Sequence, residues 1–288
     1  MIISLLTDAP KHNLALMKIS AWHKANGDSV SLNMINTNVN LTYGSWLFSQ
    51  KYYADINGGS LFPDISLNPK FEIKPDYSLF PIDYSLGYTW RYCPRNCEFC
   101  VVPKQHNPKE HKSIWSFHDS KFKKICLLNN NTFSDLQWLE TFQEIWDAHL
   151  IVVEHGFDLR LLNDEKAEAL RKTKFEKGYV HFAFDRLQDE KQIRQGFKIA
   201  RKYKIKAMVY VLVGFDTTRE EDLHRCQIIH DAGYDPYVMP YNRGTKQDRV
   251  FKRFIDCRAY RQYKTLMEAW DNYKVAKDCS REIMELGL

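Results

Sequence analysis

The chain has 288 residues, 41 basic and 36 acidic, for a net charge of +5, with 44% apolar and 14% aromatic side chains. That composition excludes a disordered or low-complexity polymer, and no apolar run nears the roughly 20 residues of a membrane-spanning helix. So mild a basic excess says nothing firm about nucleic acid, and the length allows about two domains or one barrel with an extension.

The amino terminus, Met1-Ile2-Ile3-Ser4-Leu5-Leu6, has no basic leader and soon meets Asp8. It reads as a first strand over 1–7 of a soluble, cytoplasmic protein, not as a signal peptide. Residues 13–26 read as a helix with Leu14, Met17, Ala21 and Ala25 on one stripe and Gly27 as its stop. A second strand follows at 29–33, a short helix at 46–53, and a strand end running into Gly58-Gly59. From 61 to 84 the chain is rich in Pro, Asp, Ser and Tyr without a sustained period, which marks a linker and a domain boundary. Beyond it, apolar strands at 88–92, 124–128, 150–154, 178–184, 207–214 and 235–240 alternate with helical stretches at 135–147, 163–174, 188–204 and 218–232. Strand, helix, strand with short connections predicts parallel strands in an α/β fold. Six strands fall short of a complete barrel, so the expectation is an open or partial (β/α)6 TIM-type barrel over 85–242. From 243 to 288 a basic tail carries Arg243, Lys246, Arg249, Lys252, Arg253, Arg258, Arg261 and Lys264 among Phe251, Phe254, Tyr260 and Tyr263. Helical spacing of both sets predicts an amphipathic helix with its aromatics inward and a solvated basic face, which also leaves nucleic-acid contact open.

There are seven cysteines, and three of them, Cys93, Cys97 and Cys100, lie in one short segment, Cys93-Pro94-Arg95-Asn96-Cys97-Glu98-Phe99-Cys100. An odd, uneven set in a chain this long points to a metal site in a reducing compartment and not to a disulfide framework. Three thiols on a short loop reach three irons of one cubic cluster, leaving the fourth iron open to a small molecule. The alternatives are a Cys₃His zinc site completed by His106 or His111, and an electron-transfer cluster completed by Cys126. The loop's expected place, at the carboxyl end of the first strand of a βα series, favours catalysis. Cys226, Cys257 and Cys279 are too far apart for a second cluster and read as buried free thiols.

The CxxxCxxC loop, with an aromatic before its last cysteine and a six-strand βα series after it, resembles the radical S-adenosylmethionine (SAM) superfamily. The resemblance covers 85–242. It implies a 4Fe–4S cluster held by Cys93, Cys97 and Cys100, with the amino and carboxylate groups of SAM on the fourth iron. It implies reductive cleavage of SAM to a 5′-deoxyadenosyl radical that abstracts hydrogen from a substrate, and a small electron donor of the flavodoxin or ferredoxin type. By the same resemblance Phe99 lies near the adenine. Leu128-Asn129-Asn130-Asn131 takes the place of the family's Gly-Gly-Glu contact to the SAM amine, with an Asn129 or Asn130 carbonyl oxygen as acceptor. Arg160, after Gly156 and Asp158, pairs with the SAM carboxylate or makes a structural salt bridge. Asp185 and Arg186 contact the ribose and carboxylate, Gly214 in Val211-Leu212-Val213-Gly214-Phe215-Asp216 bonds adenine, and Glu220 holds the following turn. Glu154 and His155 face substrate or sit in a polar network.

Residues 1–60 resemble the Rossmann-like cobalamin-binding domain that precedes many radical SAM barrels, through Asn13-Leu14-Ala15-Leu16, the helix stop at Gly27, and Gly58-Gly59. The family's cobalt-ligating DxHxxG pattern is missing, and neither His12 nor His23 lies in that context. The expectation is a degenerate unit that binds no cobalamin. The candidate substrates are a nucleic acid, which the basic tail favours, a peptide or protein side chain, and a small molecule. The rival function is a zinc-stabilised basic module that binds nucleic acid without turnover.

Overall fold

A computed structural model describes residues 1–35, 38–105, 107–153 and 156–273. The chain forms two compact units, Met1–His155 with Thr173–Glu176, and Gly156–Lys172 with Lys177–Leu288.

In the first unit, β1 (Ile2–Thr7), α1 (Leu14–Ala25), β2 (Ser29–Leu32), β3 (Leu41–Ser45) and β4 (Ile56–Gly58) build a parallel sheet of order β2-β1-β3-β4. β1 is central, and five of its six residues are buried, as befits a parallel strand covered on both faces. Asn13 caps α1, its carboxamide oxygen accepting the Leu16 amide while its nitrogen donates to the hydroxyls of Thr7 and Ser45. Gly27, at φ +81°, follows the helix. The buried face of α1 is Leu16, Met17, Ile19, Ser20 and His23, and not the expected stripe of Leu14, Met17, Ala21 and Ala25. The larger apolar side chains set the phase, and His23 is accommodated because Asp28 and Tyr43 bond its two ring nitrogens at 2.6 and 3.0 Å.

The helix expected at 46–53 does not form. Asp8, just past the end of β1, accepts the amides of Leu47, Phe48 and Ser49 at 2.7–2.8 Å and ties the segment to that strand end, but no helix continues from it. The 61–84 stretch is short of regular structure, as a connection should be. It nevertheless buries Phe71, Tyr77, Phe80 and Tyr84 in one core with Ile3, Leu5 and Leu16.

The same unit carries β5 (Ser85–Gly87), β6 (Lys124–Leu127), α2 (Trp138–Asp147) and β7 (Ile151–Val152), with β5-β6-β7 parallel. The first strand of the series thus ends at Gly87 and does not span 88–92. Thr89 and Trp90 give their amides to the Asn129 side chain, at 2.9 and 3.1 Å, and not to a neighbouring strand. Gly87 is obligatory at this end, since a Cβ there would lie 2.2 Å from the Phe117 ring.

The second unit contains α3 (Asp164–Lys172), β8 (Val180–Ala183), α4 (Glu190–Lys202), β9 (Ala207–Val213), α5 (Arg219–Asp231), β10 (Asp235–Pro240) and α6 (Lys246–Asp256). Its sheet is parallel with β9 in the centre. Thr218 with Glu221, and Thr245 with Asp248, form reciprocal capping boxes that start α5 and α6. Glu220, expected to hold the turn before α5, is exposed; its neighbour Glu221 does that work because it stands three residues after the cap. α6 buries Phe251, Phe254 and Ile255, and Tyr260 is buried beyond it, whereas Tyr263 faces out. Among the described residues no helix is long and apolar enough to cross a membrane.

Candidate functional site

The cysteine loop follows β5, and a buried carboxamide secures its root. The Asn129 oxygen accepts both Thr89 and Trp90 amides, and its nitrogen donates to the hydroxyls of Thr89 (2.8 Å) and Thr132 (3.1 Å). All four bonding positions of that side chain are therefore committed to the loop, which leaves none for the amine contact expected of it. Asn130 donates to the Arg91 carbonyl and to Asn107 Oδ1 at 3.2 Å, and Asn107 in turn donates to the carbonyls of Val102 and Gln105. A chain of carboxamides thus braces both ends of the loop.

Between these braces Cys93, Cys97 and Cys100 are in no disulfide and each is half-buried, as is Phe99, while Pro94, Asn96 and Glu98 face solvent. The Cys100 amide closes a turn on the Cys97 carbonyl at 3.0 Å. Two sulfurs already accept N–H donors: Cys100 Sγ from the Val102 amide at 3.4 Å, and Cys93 Sγ from Asn131 Nδ2 at 3.8 Å. Arg91 Nε, two residues before Cys93, is buried without a hydrogen-bond partner. Among the described residues no three His, Cys, Asp or Glu side chains converge where one metal ion could bind. A cubane binds its cysteines at three different irons and asks for thiols spread around a volume. By its chemistry the donor set, three reduced cysteines with N–H donors on two of the sulfurs, suits such a cluster.

The remaining candidates in this unit separate from the loop. His111 turns Nδ1 to the buried Asp135 at 2.6 Å and Nε2 toward Glu140 at 3.9 Å. Cys126 lies inside β6 and packs against the core of Ile3 and Leu86. His106, Glu154, His155 and Cys279 lie outside the described residues. A separate cavity of about 230 Å³ opens at the carboxyl ends of β3 and β4, lined by Leu16, Ile19, Tyr43, Gly44, Ile56 and Gly58.

In the second unit the candidate residues cluster at the carboxyl ends of β8 and β9. Arg160 does form a bidentate fork, but with Asp158, at 2.7 and 3.0 Å, and it reaches Asp189 at 2.7 Å as well. Burial opposes its charge, yet the two carboxylates hold it firmly protonated. Asp185 accepts the Leu212 amide at 3.0 Å, and its burial pushes the carboxyl above the usual range. Arg186 is half-exposed beside Asp189. Gly214 adopts φ +76°, and a Cβ there would stand 2.8 Å from Asp248 Oδ2. Its openness serves Asp248, which caps α6.

Sequence reasoning missed the group that holds these strand ends. Arg225, fully buried on α5, donates to the carbonyls of Phe184, Asp185 and Leu212 at 2.7–2.9 Å and to Asp222 at 2.6 Å. Arg219 then links Asp222 to Asp248. The available signal was a charged residue on the buried face of α5, between Leu223 and Ile228.

No family model matches the sequence, and no curated protein matches it either. Solved structures do match. TsrM from Kitasatospora setae, described as a radical S-adenosylmethionine methyltransferase with cobalamin and a [4Fe-4S] cluster bound, superposes with a TM-score of 0.56 at 9% identity, over 83% of this chain and 74% of that one. The chain shares the fold of that structure. A second structure of TsrM, with tryptophan substrate and a SAM analogue, gives a TM-score of 0.51 at 10% identity over 83% of this chain and 72% of that one. SuiB from Streptococcus suis, bound to S-adenosylmethionine, reaches 0.43 at 12% identity over 57% and 42%, too low to argue from.

Proposed function

We propose that the protein is a radical SAM enzyme whose 4Fe–4S cluster is held by Cys93, Cys97 and Cys100. The observation that carries this reading is the CxxxCxxC loop, three cysteines in no disulfide directly after the first strand of a parallel βα series. The fold shared with TsrM supports it. On this reading the six strands β5–β10 make a partial (β/α)6 barrel, preceded by a Rossmann-like unit over 1–60 and a linker over 61–84, and followed by the basic tail from 243.

A cluster bound there supplies one-electron chemistry, the reductive cleavage of S-adenosylmethionine to a hydrogen-abstracting radical. The chain's own residues do the rest. Asn129 and the Asn130–Asn107 brace would fix the loop whose three thiolates hold the cluster. Phe99 packs by the adenine. Asn130, whose carboxamide oxygen takes no hydrogen bond among the described residues, accepts from the SAM amine in place of Asn129. Asp185, Arg186 and the backbone at Gly214 hold the nucleoside and carboxylate, and Arg160 acts through Asp158 and Asp189 as a fixed support. Electrons come from a flavodoxin- or ferredoxin-type donor.

The first unit, on this reading, holds no cobalamin. The DxHxxG pattern is absent, and His23 is bonded at both ring nitrogens, so it has none to offer cobalt. The substrate is a nucleic acid, a peptide or a small molecule, and the TsrM description adds methyl transfer to the outcomes worth assaying.

The test is anaerobic reconstitution with iron and sulfide, followed by SAM and dithionite, with 5′-deoxyadenosine and transferred methyl groups read by mass spectrometry. Wild-type protein is expected to bind iron and form the nucleoside, and Cys97→Ala to lose both. Zinc retained in place of iron, with steeply salt-dependent nucleic-acid binding and no nucleoside, would establish the binding module instead. Hydroxocobalamin that stays bound through desalting would overturn the cobalamin-free reading of the first unit.

A further inference from the structure

The Cys93 sulfur is addressed by a side chain from another part of the unit. Asn131, at the end of β6 and 6% exposed, places Nδ2 3.8 Å from it. Its backbone is fixed in turn, because the Asn131 carbonyl accepts the Ser134 amide at 3.1 Å and the Ser134 hydroxyl at 2.8 Å. The donor to Cys100 is of another kind. Val102 is two residues further along the same loop, so its amide reaches that sulfur by local turn geometry alone. Substitution leaves a backbone amide in place, whereas a carboxamide can be removed. Asn131 is thus a choice of sequence, mounted on a strand end held by the neighbouring Asn129.

We propose that Asn131 is a positioning residue for the cluster: its Nδ2–H donates to the Cys93 sulfur ligating one iron and raises the cluster's reduction potential. The inference rests on the cluster-binding reading above. Reduction adds negative charge that spreads onto the cysteine sulfurs, and a buried N–H dipole aimed at one of them stabilises the reduced state. Side-chain hydrogen bonds to a metal's ligands commonly set both ligand orientation and potential.

The experiment is an EPR-monitored redox titration of reconstituted wild type, Asn131→Leu and Asn131→Asp, with iron content and resonance Raman spectra on the same samples. Asn131→Leu removes the donor at similar size, and Asn131→Asp turns an acceptor toward the sulfur. The expected result is a potential lowered by the first and lowered further by the second. The Fe–S(Cys) stretch should rise in both, with iron content near wild type because all three thiols remain. Pulsed EPR of the wild type labelled with ¹⁵N-asparagine needs no variant and is expected to show a nitrogen coupled to the reduced cluster. Potentials indifferent to residue 131 at full iron content, or no coupled nitrogen in the wild type, would overturn the inference and leave the cluster reading intact. A wild type that takes up no iron would overturn both.

Discussion

The carboxyl ends of β5 and β6 and those of β8 and β9 pose the same physical problem, and the chain solves it in two ways. Strands that stop leave amides and carbonyls without a ladder, and where these are buried they must be satisfied. In the first unit a neutral carboxamide does it: Asn129 takes two amides and gives to two hydroxyls. In the second a buried cation does it: Arg225 gives to three carbonyls and is balanced by Asp222. Each device matches the groups left over, since Asn129 accepts from free donors and Arg225 donates to free acceptors. They differ in what their failure costs. Losing the carboxamide leaves unpaired dipoles, whereas losing the cation also strips a buried carboxylate of one of its two arginines.

That contrast can be broken at three points. Arg225→Met is expected to have the largest effect, destabilising the protein by about 3 kcal/mol because three carbonyls lose their donor and the buried Asp222 keeps Arg219 as its one remaining cationic partner among the described residues. Denaturant unfolding would measure it, and Arg225→Met with Asp222→Asn should recover part of the loss. Equal instability in single and double variants would mean that the carbonyl bonds, and not the charge pair, carry the energy. Asn129→Leu comes next, at about 2 kcal/mol for the orphaned amides of Thr89 and Trp90, together with lower iron uptake because the loop root is loosened.

The smallest effect concerns acid. The Asn129 clasp holds nothing that titrates, so the first unit's sensitivity to low pH must come from elsewhere, and Asp76 is the candidate. Burial opposes its ionisation, but Lys24 at 2.8 Å, Ser20 at 2.6 Å and the Ser78 amide at 2.9 Å bring its pKa down to about 2. A carboxyl depressed on folding contributes in full above its ordinary value near 4, and the contribution is lost as pH falls toward 2. The stability gap between wild type and Asp76→Asn at pH 7 should therefore narrow by about 1 kcal/mol, after allowance for solvent screening, when both are unfolded in urea at pH 2.5. A gap that held constant would remove Asp76 from the account.

Much of the fold was legible because periodicity and burial agree. The strands at 207–214 and 235–240 and the four helices between strands fall within a few residues of their expected places. The failures share a cause. β3, Leu-Thr-Tyr-Gly-Ser, went unread because its polar and glycine residues carry no strand signal; it is a strand because β1 lies beside it. The 88–92 strand was overruled by a single side chain, Asn129, that captures backbone amides from outside the segment, and 46–53 is tied to the end of β1 by Asp8 without forming a helix. At the site, the thiol loop was legible as a motif. Arg225 and Asn131 were not, because their roles depend on what lies opposite them in space.

The buried aromatics of 61–84 bear on modularity. Read as a linker, this stretch invites a cut that would release a free-standing catalytic half beginning near residue 85. Yet Phe71, Tyr77, Phe80 and Tyr84 share one interior with Ile3, Leu5 and Leu86, and the Tyr77 hydroxyl donates to the Phe117 carbonyl at 2.7 Å while accepting the Leu86 amide at 3.1 Å. A gene shortened to that boundary would encode β5 without the layer it packs on. The segment behaves as mortar between bricks, and the amino-terminal sheet is part of the chassis that the cysteine loop is mounted on.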